Sequence, residues 1–135
     1  MPQVALITGC SSGIGYETAM MLARNGFHTF ATMRDKKKSN SLANTTEREK
    51  LALKILELDV NDDKSIENAI NRVKSEAKRI DILINNAGYG LVGFFEDLTL
   101  DEIRNQFETN FFGVLNITKK VIPIMRLQKN GTIVN

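Results

Sequence analysis

Residues 8–15 read Thr8-Gly9-Cys10-Ser11-Ser12-Gly13-Ile14-Gly15. Directly before them stands a short apolar run, Val4-Ala5-Leu6-Ile7, and directly after them Ile14, Thr18, Met21 and Leu22 recur at helical spacing. A buried strand followed by an amphipathic helix, with glycines at the joint, gives this pattern. Glycines let the backbone turn sharply and admit close approach by another group. The helix start offers N–H groups at the positive end of its dipole, and Ser11 and Ser12 add hydroxyl donors. Such a turn suits a pyrophosphate. A purely structural turn is the alternative reading of the same residues.

Outward from that joint, apolar runs and helical patterns alternate, which predicts an α/β fold with a parallel sheet in one domain. The first helix runs from Gly13 to Asn25, with Gly26 as its C-terminal cap. Thr29–Thr32 reads as strand two, Ile55–Asp59 as strand three, Ile82–Ile84 as strand four and Thr132–Val134 as strand five. Residues 34–50, polar and charged, read as a mobile loop holding at most a turn of helix. Ile66, Ala69, Ile70, Val73 and Ala77 form one helical face, with Asn61 or Asp62 as N-cap. A loop through Gly88, Gly90 and Gly93 leads to Thr99-x-x-Glu102, a capping box flanked by the staple pair Leu98 and Ile103. Phe111, Val114, Leu115, Thr118, Ile122 and Met125 then mark a long last helix, bent near Pro123 and ended by Gly131.

Composition narrows the function. The chain has 135 residues, 42% of them hydrophobic and 25% charged, a balance typical of a globular domain. A net charge of +2 is far from the basic character of a nucleic-acid binder. No apolar run approaches the roughly 20 residues that span a bilayer, so no membrane partner is expected. Met1-Pro2-Gln3 leads straight into strand one with no charged leader, and Cys10 is the only cysteine, so a cytoplasmic location is expected. His28, at the start of strand two and expected to be exposed, is the only histidine. No metal site is expected. Cys10 is expected to pack in the turn, where the helix start favours a lowered pKa.

The spacing Gly-x-x-x-Gly-x-Gly after Thr8 differs from the common dinucleotide fingerprint and resembles that of the short-chain dehydrogenase/reductase family. Asp59-Val60 after strand three, Asn85-Asn86-Ala87-Gly88 after strand four, Asn110 in the last helix and Gly131-Thr132-Ile133-Val134-Asn135 agree with it in order. Thr8 to Gly15 followed by Ala31-Thr32-Met33-Arg34-Asp35 looks most like the hydroxysteroid and retinol dehydrogenase branch. The resemblance implies a Rossmann-type doubly wound parallel sheet, truncated at about the fifth strand. Residues 1–135 would be its dinucleotide-binding portion. It implies that Thr8, Gly9, Ser11, Ser12, Gly13, Ile14 and Gly15 hold a nicotinamide dinucleotide. It places Asp59 on the adenine amino group with Val60 beside the ring, although Asp59 also suits a helix N-cap. Asn86, Ala87 and Gly88 would pass close to the cofactor, with Asn86 equally fitted to bracing the sheet. Asn110 would hold a water in a proton relay, or else serve as a polar residue bonded to backbone.

Cofactor choice turns on the end of strand two. An acidic residue there binds the free ribose hydroxyls of NAD, whereas Arg accommodates the 2′-phosphate of NADP. Met33 and Arg34 occupy the position, so NADP(H) is favoured over NAD(H), with Asp35 pulling the other way. Lys36, Lys37 and Lys38 read mainly as a solvated run.

By the same resemblance the activity is hydride transfer between nicotinamide and a small-molecule alcohol or carbonyl, with a Ser, a Tyr and a Lys in Tyr-x-x-x-Lys. Tyr16 is followed four places on by Met20 and Tyr89 by Gly93, so neither supplies that motif. The catalytic half is absent and the 135 residues are expected to be inactive alone. A non-catalytic NAD(P)-binding or interaction module is the alternative. The family's usual dimer implies a homo-oligomer through the last helix.

Overall fold

Five apolar runs form a single parallel sheet in a computed structural model that describes all 135 residues. They are β1 (Val4–Ile7), β2 (His28–Met33), β3 (Leu53–Glu57), β4 (Ile82–Ile84) and β5 (Thr132–Val134), ordered β3-β2-β1-β4-β5. Helices α1 (Gly13–Arg24), α2 (Asn40–Glu49), α3 (Asp63–Ala77), α4 (Leu100–Phe107) and α5 (Gly113–Gln128) connect them. Alternate strand residues face opposite sides, so each side has its own core. Leu6, Phe30 and Leu83 pack with Ile66, Ile70 and Val73 of α3 and Ile117 and Val121 of α5. Ile7, Ala31, Met33 and Leu53 pack with Ala19, Met20 and Ala23 of α1 and Leu42 of α2. The order reverses beside β1, and a crevice opens there at the strand C-termini.

Local signals hold where they are strong. Thr99 Oγ1 accepts from Glu102 N at 3.2 Å while Glu102 Oε2 accepts from Thr99 N at 2.8 Å, the complete capping box. Asp62 caps α3, accepting from Lys64 N and Ser65 N. Other expectations need correction. Residues 36–39 form a 3-10 turn and residues 40–49 the ten-residue helix α2, not a loop. Only Leu42 of α2 is buried, so apolar periodicity is nearly silent there. The paired Arg24 and Glu49, bonded at 2.7 and 2.8 Å, tie α2 to α1 instead. Strand β3 starts at Leu53, paired with Thr29, and ends at Glu57. Lys54 masks its start, because that side chain reaches out to Glu76. His28 is half-buried, its ring 4.6 Å from that of Phe30.

Asp81 is the one buried carboxylate, 2% exposed, just before β4. It accepts from Val4 N at 2.8 Å and from Arg79 Nε at 2.8 Å, which joins the β1 and β4 starts. Burial pushes its carboxyl up, but the Arg79 guanidinium and the Val4 N–H outweigh burial and leave it below the usual carboxylate range. A depressed folded value means the stabilisation is present at neutral pH and is lost as pH falls through that value. Asp81→Ala should therefore cost about 2 kcal/mol at pH 7, chiefly because it leaves the buried Val4 N–H unpaired, while the part-exposed Arg79 turns to water. Denaturant titrations at pH 7 and pH 3 should show the difference from wild type shrinking in acid. An equal difference at both pH values would contradict this role.

Candidate functional site

A cleft of about 1000 Å³ lies over the C-terminal ends of β1 to β4. The turn after β1 forms its floor. Cys10 N donates to Thr32 O at 2.8 Å, which folds the turn back onto β2. Gly9 has φ of 71°, and a Cβ on it would come within 2.8 Å of Ala87 Cα. A Cβ on Gly15 would run into the Gly9 carbonyl oxygen and Asn86 Nδ2. Only glycine lets the start of α1 approach this closely.

Thr8 and Asn86 lock that approach. Thr8 Oγ1 accepts from Asn86 N at 3.0 Å and Ala87 N at 2.9 Å, while Asn86 Nδ2 donates to Thr8 O at 3.0 Å and Gly9 O at 2.9 Å. Asn86 thus braces the sheet and also lines the cleft. Thr8 is 1% exposed and braces only. Ser12 precedes α1 in an extended conformation, and its hydroxyl makes no capping bond. The first-turn N–H groups of α1 lack intrahelical acceptors by geometry, so donors gather at this point. Gly9, Ser11, Ser12 and Ile14 line the cleft; Gly13 and Gly15 shape the turn behind them. Cys10 takes no part: it is buried, and burial pushes its thiol up to about 12, so the helix start does not lower it.

The second wall carries charge. Met33, Arg34, Asp35 and Lys38 line the cleft at the end of β2. Asp35 caps the 3-10 turn, its Oδ1 accepting from Lys37 N at 2.9 Å. Arg34 and Lys38 take part in none of the seven ion pairs of the chain. Lys38 is therefore a lining residue rather than part of a merely solvated run. The sequence did not single it out, because only the 3-10 turn brings it round to the cleft. Val60 and Asn61 line the end beyond β3. Asp59 is no helix cap: its Oδ1 accepts from Asn61 N at 2.9 Å, and Asp62 caps α3.

The third wall comes from a break in helical pitch. Between α4 and α5 residues 108–112 form a π turn, a form common at functional sites. It carries Asn110 and presents Glu108 and Thr109 to the cleft, with Asn105 one turn earlier. Thr109 Oγ1 accepts from Asn61 Nδ2 at 2.9 Å, joining this wall to the loop after β3. Asn110 does not line the cleft. Its Nδ2 donates to Tyr89 O at 2.7 Å and its Oδ1 accepts from Tyr89 N at 3.0 Å. Gln106 Oε1 accepts from Leu91 N, so two side chains of the continuous rod made by α4, the π turn and α5 hold the loop after β4. No three His, Cys, Asp or Glu residues converge on a point. No helix is long and apolar enough to cross a membrane.

Residues 3–135 match the family model described as short chain dehydrogenase. Retinol dehydrogenase 8 of Bos taurus is 43% identical over 98% of this chain, which covers 43% of that protein. The 3-ketodihydrosphingosine reductase of Bacteroides thetaiotaomicron is 41% identical over 99% of the chain, which covers 46% of it. This chain thus spans about half the length of the curated relatives it matches. A crystal structure of a short-chain dehydrogenase from Streptomyces avermitilis superposes with a TM-score of 0.90 at 32% identity, covering 100% of this chain and 49% of that one. A gluconate 5-dehydrogenase of Burkholderia cenocepacia, solved with NADP and tartrate, gives 0.87 at 30% identity, covering 97% and 51%. With its glycine turn, its Thr8–Asn86 lock and a match over nearly every residue, the chain belongs to the short-chain dehydrogenase family.

Proposed function

We propose that this chain is the cofactor-holding part of an NADP-preferring oxidoreductase acting on an alcohol or carbonyl. The reading rests on the cleft, where unengaged donors at the start of α1 face the same space as the unpaired Arg34 and Lys38. Ser11, Ser12 and the backbone of Gly13, Ile14 and Gly15 would hold the pyrophosphate, on a turn that Thr8 and Gly9 fix. Arg34 and Lys38 would hold the 2′-phosphate. Asp59 and Val60 would bound the adenine, and Asn86, Ala87 and Gly88 the nicotinamide end. The NADP held by the gluconate 5-dehydrogenase neighbour supports this assignment.

When bound, the dinucleotide supplies or accepts a hydride. The chain's own residues orient it and shape the loop beside the reacting end. Asn110 does this through its two bonds to the Tyr89 backbone, and at the π turn it would also hold a water in the proton relay. The family's Ser and Tyr-x-x-x-Lys do not occur in these 135 residues, so proton transfer to the substrate needs residues outside them. One relative is named for retinol, an alcohol, and another for 3-ketodihydrosphingosine, a ketone. Val92, Phe94 and Phe95 stand exposed on the loop after β4, which favours a substrate with a large apolar part. Phe111, Phe112, Leu115 and Ile122 stand exposed along the rod and favour a homo-oligomer there.

The 135-residue polypeptide should bind NADPH, seen as a blue shift and gain in its fluorescence, yet turn over no retinoid, steroid or simple ketone. Failure to bind either dinucleotide would sink the proposal. Turnover by these residues alone would sink its account of the proton transfer.

A further inference from the structure

At the pole opposite the cleft the chain turns from each helix into the next strand. Three of these turns, at Lys50, Lys78 and Lys129, hold the left-handed conformation, with φ of 53°, 63° and 55°. No other residue except glycine has positive φ in the chain. Side chains rarely adopt this conformation, and glycine is the usual occupant. The turn after α1 shows that the fold accepts it, for Gly26 stands there with φ of 85°. A lysine anywhere in the last turn would satisfy the helix dipole, so the dipole does not call for lysine at the strained position.

The topology gathers these lysines on one face, because every helix of this parallel sheet runs back to the strand N-termini. The acids nearest them are mostly neutralised. Glu49 pairs with Arg24 and Arg48, Glu76 with Lys54 and Arg72, and Asp81 with Arg79. Lys50, Lys74, Lys78, Arg126 and Lys129 have no carboxylate partner. Between α3 and α5 a groove of about 460 Å³ runs down the flank of the helix layer and reaches this pole at Lys78, Leu127 and Gln128. Ile70, Pro123, Ile124 and Leu127 supply its apolar lining, and Lys74 and Lys78 stand on its rim. Lys120 there pairs with Asp63 at 3.0 Å, and Glu67 is the acid on the rim. Leu127 is 87% exposed, and Met1, ahead of β1 on the same face, is 98% exposed.

We propose that this pole is a docking face for an anionic phospholipid bilayer. Lysines would meet lipid phosphates, and Leu127 with the groove would take up the adjoining apolar layer. The expectation of no membrane partner rests on the lack of a spanning segment alone, which does not bear on surface binding, and this docking face replaces it. A nucleic acid fits less well: the exposed aromatic residues, Tyr89, Phe94, Phe95, Phe107, Phe111 and Phe112, all lie away from this face, so bases have nothing to stack on. Docking here would leave the cofactor cleft pointing away from the lipid.

The test uses the purified full-length protein in flotation with vesicles of phosphatidylcholine alone or with phosphatidylserine. Binding is expected only with phosphatidylserine and should fall with added salt. The triple variant Lys50→Gly, Lys78→Gly, Lys129→Gly removes the charge while placing the favoured residue at each left-handed site. Its melting temperature should be unchanged or raised; should it fold poorly, the triple asparagine variant replaces it, since asparagine also tolerates this conformation. Each lysine near such a surface strengthens binding about fivefold, so the triple variant should bind about a hundredfold more weakly. Leu127→Asp should weaken vesicle binding but not binding to heparin. Equal binding to neutral vesicles, or a folded triple variant that binds like wild type, would overturn the proposal. So would vesicle binding that Leu127→Asp leaves unchanged while heparin or an oligonucleotide competes for the face.

Discussion

Gly15→Ala should weaken cofactor binding at least a hundredfold and lower thermal stability by several degrees. The added methyl meets the Gly9 carbonyl oxygen and Asn86 Nδ2, and neither can retreat. Gly9 is held by Asn86 Nδ2 at 2.9 Å, and Asn86 N by Thr8 Oγ1 at 3.0 Å, so moving either group breaks the lock between β1 and β4. Overpacking of this kind costs roughly 1–3 kcal/mol, occasionally more. Binding suffers further because the start of α1 must tilt and its N–H groups lose their aim. Two bonds to a charged phosphate, at roughly 1.5–3 kcal/mol each, amount to about a hundredfold or more. Gly13→Ala is the control. It has φ of 60° but nothing within 4 Å of a Cβ, so it carries backbone strain alone and should cost only about 1 kcal/mol. NADPH fluorescence titrations and thermal melts of both variants decide the matter. A Gly15→Ala protein that binds and melts like wild type would mean the turn is not closed in this way.

The glycine turn and the alternation of apolar runs were enough to read the parallel sheet, because each is a local signal repeated along the chain. The capping box at Thr99 was equally plain, since its whole geometry spans four consecutive residues. What stayed hidden depends on neighbours distant in sequence. Helix α2 buries only Leu42 and is held by Arg24 and Tyr16 of α1, so no periodicity announces it. The π turn carrying Asn110 is a shift in helical pitch that leaves the apolar pattern of the rod nearly intact. Of the expected site residues, Gly9, Ser11, Ser12, Ile14, Arg34, Val60, Asn86, Ala87 and Gly88 line one cleft. Thr8 and Gly15 instead hold its floor, a division of labour that no spacing rule separates. Lys38, Asn61 and Thr109 join the cleft through a 3-10 turn and a side-chain bond across it, neither of which a linear reading supplies.

Cofactor preference should reside in Arg34, with Lys38 second. Asp35 is the residue that would argue for NAD, since a carboxylate at this point accepts from ribose hydroxyls and repels a 2′-phosphate. Its Oδ1, however, caps the 3-10 turn through Lys37 N at 2.9 Å, which sets the carboxylate on the turn. Arg34 is free of ion pairs and presents a planar fork that matches a phosphate with two parallel bonds. A charge-assisted bond is worth roughly 1.5–3 kcal/mol, so Arg34→Ala should cut NADPH affinity about tenfold to a hundredfold while leaving NADH nearly unchanged. Lys38→Ala should cut it less, because an ammonium on a flexible stem acts as a point charge and is screened by salt. The double variant should bind the two cofactors equally. Asp35→Ala should shift the preference less than about fivefold, by roughly the Coulomb energy of a screened surface charge, under about 1 kcal/mol. Parallel titrations with NADPH and NADH at two salt concentrations separate these effects. Equal affinity of the wild type for both cofactors would refute the assignment. A loss of NADH binding as large as that of NADPH in Arg34→Ala would place the guanidinium on a part of the dinucleotide common to both.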